Sequence, residues 1–112
     1  MAAMKFRLVS AASVNLAKIK DAGPCNLKGA VLINTNAAAR FVKLYDSTDL
    51  PIIGTTIPAL TVQVAPTSQV ALTFSDGVAF RGSMWFATTV NAADADAMPV
   101  GAGDIVASVF YE

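Results

Sequence analysis

Carboxylates are the first candidates for chemistry in this sequence, which has eight Asp and Glu residues, no histidine and a single cysteine, Cys25. Asp94, Asp96 and Asp104 flank Gly101 and Gly103. Several loop oxygens close together suit a hard cation such as calcium. The alternative is a solvated loop whose aspartates cap turns, and the spacing departs from the twelve-residue calcium loop, so no metal is assigned. Asp46 and Asp49 could act as the acid and base of a glycosidase. Nothing in the sequence marks either as a catalytic acid, and both suit the turn before Pro51. Without histidine the chain lacks the commonest general base, the commonest metal ligand and any Ser-His-Asp arrangement. A thiolate at Cys25 would have no activating partner. Cys-x-x-Cys pairs and glycine-rich phosphate loops are also missing. The expectation is a protein that is not an enzyme, with no catalytic residue and no cofactor. Trp85 is the remaining candidate: exposed, it would stack on sugar or anchor an interface; buried, it is a core side chain. Phe86 points the opposite way, so one of the two must face outward or into a neighbouring subunit.

These residues must be held by strands. Residues 31–47 read as two strands joined by a small-residue turn. The first is the apolar run Ala30-Val31-Leu32-Ile33, broken by Asn34-Thr35-Asn36, whose side chains bond back to the local backbone. The second is residues 40–45, dense in β-formers. Before them, residues 6–12 read as a first strand or an extended arm, after a loose end at residues 1–4. Residues 13–20 alternate, and Asp21-Ala22-Gly23-Pro24 reads as a turn. Pro51 and Pro58 make residues 46–58 a long loop, with Ile52 and Ile53 tucked beneath it. Residues 59–65 show period two, with Leu60, Val62 and Val64 inward. Residues 69–74 repeat it with Val70, Leu72 and Phe74, and the two runs read as a hairpin across Pro66-Thr67-Ser68. Ser75-Asp76-Gly77 reads as a turn before a short piece, residues 78–80. Residues 83–90 form an aromatic strand, and residues 91–103 a loop whose Ala-rich start offers the one candidate helical turn. Residues 104–112 are apolar on both faces, as for a strand in mid-sheet or one covered by a partner. The tally is an all-β chain of about eight strands in one domain, residues 1–112: an antiparallel jelly-roll or related Greek-key β-sandwich.

At 112 residues the chain is long enough for a self-sufficient core. Charged residues make up 14%, against about 25% in an average protein. So dry a surface suits a subunit that rests on another protein. The net charge is zero but unevenly spread. Residues 1–45 set Lys5, Arg7, Lys18, Lys20, Lys28, Arg40 and Lys43 against Asp21. Residues 46–112 set Arg81 against Asp46, Asp49, Asp76, Asp94, Asp96, Asp104 and Glu112. Early and late strands pair in a sandwich, so the two halves are expected to mix in space. One cysteine permits no internal disulfide, which fits a protein made without oxidative folding. The opening MAAMKFRLVS lacks the apolar run of a signal peptide, and no segment approaches the ~20 residues of a membrane span. No basic cluster is interleaved with stacking aromatics, so nucleic acid is not an expected partner.

One further pattern runs across residues 30–112. An Asn-rich turn is followed by a strand carrying Arg40, Lys43, Tyr45 and Asp46. Then come a loop with Pro51, Gly54 and Thr55, the run from Leu60 to Pro66, and a closing Asp loop and strand from Asp94 to Tyr111. In these motifs the chain resembles a family of small structural proteins of tailed bacteriophages, the capsid decoration or cement proteins. Residues 1–29 match nothing in that pattern. The resemblance implies a virion jelly-roll, made in the host cytoplasm and carried on the outer capsid surface. It implies binding to the major capsid protein, across whose junctions it adds binding energy, and self-association as a dimer or trimer. Such a role needs no catalytic residue. The candidate interface residues are Lys5, Arg7, Arg40, Lys43, Tyr45, Trp85 and Tyr111, with Arg40, Lys43 and Asp46 expected at the surface. An alternative role is a tail-fibre or baseplate module that binds host glycan, with Trp85, Tyr45 or Tyr111 as the stacking platform.

Overall fold

Runs in which apolar and polar residues alternate become strands, because one face of each can then be buried and the other left in water. The computed structural model describes residues 3–20 and 23–112. Its strands are β1 (Met4–Val9), β2 (Ala17–Lys18), β3 (Cys25–Asn34), β4 (Arg40–Ser47), β5 (Leu60–Val64), β6 (Ser68–Phe80), β7 (Ser83–Thr89) and β8 (Ile105–Tyr111). They form two four-stranded sheets, ordered β1-β8-β3-β6 and β2-β7-β4-β5. The described residues contain no helix, and residues 91–97 form only bends and turns.

The pairing rule is simple. β1 pairs with β8, β2 with β7, β3 with β6 and β4 with β5, all antiparallel. The chain is thus one long hairpin, folded at the loop between β4 and β5 and rolled so that successive pairs fall in alternate sheets. Two more ladders, β3 with β8 and β4 with β7, knit each sheet together. This is the antiparallel jelly-roll sandwich expected from the sequence. It also mixes the two charge-biased halves: Arg40 Nε lies 3.1 Å from Asp104, and Lys28 Nζ lies 3.8 Å from Glu112.

Between the sheets lies the main core. Leu27, Ala30 and Leu32 of β3 and Ile105, Ala107 and Val109 of β8 face Val42 and Leu44 of β4 and Met84 and Phe86 of β7. Burying each large side chain of this kind contributes about 1.5–3 kcal/mol. Phe6 of β1 reaches in to meet Phe86, with ring centroids 5.7 Å apart.

Rolling corrects several local expectations. β3 and β4 do not form a hairpin; they lie in different sheets. The same holds for β5 and β6. Each intervening turn crosses from one sheet to the other, and buried Asn34 ties both crossings: its Nδ2 donates to Ala38 O, Val64 O and Ala65 O. Residues 75–77 are not a turn between two strands. β6 runs on through them to Phe80, with Gly77 at φ +79° opposite a register shift at residues 27–29 of β3. β2 is far shorter than residues 13–20. Asn15 takes φ +54°, and its side chain bonds Ala11, Ser13 and Thr88, which interrupts the ladder. β1 begins and ends earlier than residues 6–12, so Met4 belongs to a strand rather than to the loose end. Of that end, Met1 and Ala2 lie outside the described residues, as do Asp21 and Ala22 of the turn before β3.

Candidate functional site

The two sheets present very different outer faces. On the β2-β7-β4-β5 sheet the outward positions carry Lys43 and Tyr45 of β4 and Trp85 and Ala87 of β7, and all four are buried. A second apolar layer covers them. Ile53 from the loop after β4 and Leu16 from the segment before β2 pack on Tyr45, Trp85 and Ala87. The loop of residues 48–59 in turn lies on the loop of residues 90–104: a Cβ placed at Gly54 would meet Ala95 O at 3.2 Å. Trp85 Nε1 donates to Ser47 O at 2.8 Å, and the Lys18 ammonium sits 4.8 Å from the Trp85 ring centroid. Trp85 and Phe86 therefore both face inward, one to each apolar layer. The expectation that one of them must be outside is corrected, because the loops supply a third layer. Ile52 does not join it and is exposed, as are Leu50, Ile57 and Met98.

Lys43 was expected at the surface and is fully buried. Its ammonium donates to Ala93 O at 2.7 Å and Asp96 O at 3.2 Å, which pins the loop after β7 onto β4. Burial pushes the Lys43 pKa down, partly opposed by the charges of Asp96 and Asp94. Tyr45 is buried beside it, and its hydroxyl is the one buried side-chain polar atom without a hydrogen-bond partner among the described residues. Burial, and then the Asp94 charge, pushes the Tyr45 pKa up. Trp85 and Tyr45 thus present no open aromatic face to a sugar. Tyr111, the third expected platform, is half-buried against the main core.

The aspartates resolve into separate structural tasks. Asp46 accepts from the backbone N–H groups of Arg81 and Gly82 and so staples the β6–β7 turn. Asp96 accepts from the Asn91 N–H. Asp104 accepts from Gly101 N at 2.9 Å, Asn36 Nδ2 at 3.2 Å and Arg40 Nε at 3.1 Å. Burial alone would raise the Asp104 pKa, but these donors and the Arg40 charge outweigh it and hold it below the ordinary aspartate value. Among the described residues no three His, Cys, Asp or Glu side chains gather as a metal site would require. Cys25 is buried, and desolvation foremost raises its pKa, an environment that favours an inert thiol.

The opposite face is bare. On the β1-β8-β3-β6 sheet, the register sets Val9, Val106, Ile33 and Gln69 in one row across the outer surface. Arg7, Ser108, Val31 and Ala71 form the next, and Lys5, Phe110, Gly29 and Thr73 the third. Val31, Ile33, Val106 and Phe110 are only half-buried, and Val9 is 50% exposed. The centre of this face is apolar, and Lys5 and Arg7 line one edge, exposed and without an ion-pair partner among the described residues. Of the seven candidate interface residues, the structure brings only Lys5 and Arg7 together on an open surface. Arg40 is engaged with Asp104. The apolar centre was missing from the candidates, although its signal was present in β8, which is apolar on both faces.

Shallow depressions occur among the described residues. One, of about 340 Å³, is lined by Ile33, Asn34, Thr35, Thr67, Ser68 and Gln69. Another, of about 230 Å³, lies among Pro24, Cys25, Asn26, Ala79, Phe80, Arg81 and Glu112. Comparisons with protein-family models, with curated proteins and with solved structures find no match for this chain.

Proposed function

We propose that this protein is a structural subunit that docks on a larger protein shell, in the manner of a bacteriophage capsid decoration protein. The observation that carries the reading is the contrast between the two outer faces. One sheet is sealed by its own loops, and the other leaves Val31, Ile33, Val106 and Phe110 half-exposed beside Lys5 and Arg7. A monomer in water gains nothing from such a face, whereas a subunit seated on a partner buries it. The mixed character, an apolar centre with charge on one rim, is that of a protein–protein interface. The resemblance across residues 30–112 supplies the partner, the major capsid protein, and the location, the capsid surface of a virion.

The test is to localise the protein on intact particles and to measure its occupancy. Stoichiometric labelling over the head is expected. The charge reversals Lys5→Glu and Arg7→Glu, both at exposed positions, should leave folding intact and lower occupancy. Particles that lack the protein, or carry it only at the tail, would refute the role. Full occupancy by the double reversal would refute the face.

A further inference from the structure

A β-sandwich has four edge strands, and each must be protected from pairing with another chain. Three of the edges here are protected. β1 carries Lys5 and Arg7. β2 is two residues long. β5 is five residues long and lies between Pro58 and Pro66. β6 differs from all three: ahead of a bulge at residues 74–77, its run Ser68–Thr73 pairs with β3 in unbroken register, contains no proline and carries no charge. Its outer edge has no strand partner among the described residues. Half of its backbone N–H and C=O groups along that edge are therefore left to water.

The side chains beside this edge point the same way. Val70, Leu72 and Phe74 of β6 face inward yet stay half-buried, because no strand lies beyond them. Leu60 and Val62 of β5, joined to β6 by a three-residue turn on the same flank, are half-buried for the same reason. β5, its turn and β6 as far as Ser75 carry no charge of their own, since no Lys, Arg, Asp or Glu occurs between Asp49 and Asp76, and the Lys28 ammonium reaches β6 at Ser75 O, beyond the run Ser68–Thr73.

We infer that β6 is a self-association edge, where a second copy of this chain adds its own β6 antiparallel across a two-fold axis. The occupant follows from symmetry and charge. A two-fold axis through a residue between Val70 and Leu72 pairs positions of like parity. Inward Val70, Leu72 and Phe74 then meet inward residues of the second copy, and Gln69, Ala71 and Thr73 meet outward ones. An uncharged strand can oppose itself at no electrostatic cost, whereas β1 would set Lys5 and Arg7 against their own copies. An uncharged edge also holds nothing with which to select a charged foreign strand. The result is a continuous eight-stranded sheet with the order β1-β8-β3-β6 repeated outward from the axis. Its outer apolar face is doubled, and the Lys5 and Arg7 edges lie at its two ends.

The inference does not depend on any capsid and is tested without one, by sedimentation of the purified full chain over a wide concentration range. A reversible monomer–dimer equilibrium is expected. The double variant Gln69→Lys, Thr73→Lys places lysines at exposed outward positions that oppose each other in the dimer. It should raise the dimer Kd at least about tenfold with an unchanged circular dichroism spectrum. The control Lys5→Ala, Arg7→Ala should leave the Kd unchanged. Hydrogen exchange supplies a second measure, since amides of residues 68–74 should gain protection as concentration rises. A chain monomeric at every concentration overturns the inference. So does a dimer insensitive to the paired lysines, a dimer lost with the β1 charges, or protection gained elsewhere and not in β6.

Discussion

Asp104 is the residue on which most local order converges. It holds the loop after β7 through Gly101, the crossing between β3 and β4 through Asn36, and β4 itself through Arg40. Its pKa is depressed in the fold, so the unfolded chain binds more protons over the range between the folded value and 3.8. The stability it contributes is complete above that range and is lost as pH falls through the folded value. Urea midpoints measured from neutral to strongly acid pH should show this loss. Asp104→Asn should lower stability at neutral pH by about 1.5–3 kcal/mol, the scale of hydrogen bonds to a charged group. It should also flatten the acid slope; an unchanged slope would place the titration elsewhere. The sequence exposed Asp104 as one of three acids in a loop, but not its task, because its partners Asn36 and Arg40 lie more than sixty positions away. Lys43 misled for a related reason. A lysine in an amphipathic strand reads as a solvent marker, and only the loop of residues 90–104, folded back over β4, turns its ammonium into a buried clamp on Ala93 and Asp96.

At the scale of elements, alternation marked most strands, and adjacency in sequence suggested the wrong partners for four of them, β3 with β4 and β5 with β6. The inward residues of β5, β6 and β7 are those that period two selects. Which strand lies beside which is decided by the turn. Asn34-Thr35-Asn36 and Pro66-Thr67 do not hold a tight reversal; they carry the chain across the sandwich, where Asn34 satisfies carbonyls on both crossings. The register shift between β3 and β6 falls where residues 74–77 of β6 stand opposite Lys28 alone, so the turn signal Ser75-Asp76-Gly77 marked a bulge within a strand rather than a reversal of the chain. Gly29 is essential there for want of space: an added Cβ would lie 2.6 Å from Leu72 O, a backbone atom of the neighbouring strand that cannot swing aside. Gly29→Ala should push β3 from β6 and cost about 1–3 kcal/mol, the scale of overpacking. Thermal unfolding would measure the loss, and hydrogen exchange should show the β3–β6 ladder opening before the β4–β7 ladder. Equal stability of the variant would mean that the strands yield without cost.

The whole molecule is governed by long-range closure. The first strand pairs with the last, and the second with the second-to-last, so loop entropy must be overcome before most strand pairing contributes any stability. Refolding is expected in the slow class of β-sandwiches, milliseconds to seconds, and stopped-flow tryptophan fluorescence will report it because Trp85 is buried only when loops and sheet have met. Microsecond refolding would show that these distant ladders are not what limits the rate. The jelly-roll class was legible in the sequence from the number and spacing of strands; of the bare outer face only the two-sided β8 gave a sign, since the face itself exists only when β1, β8 and β3 stand side by side.

β8 is the seam of its sheet, lying between β1 and β3, yet it is the last strand of the fold to leave the ribosome. Until it emerges, β1 has no neighbour and β3 has one naked edge. The nascent chain therefore passes through a stage in which a half-built sheet displays two sticky strands, and the final insertion must occur between them rather than at a rim. Any delay between the emergence of β6 and that of β8 would prolong that stage and invite capture by neighbouring nascent chains.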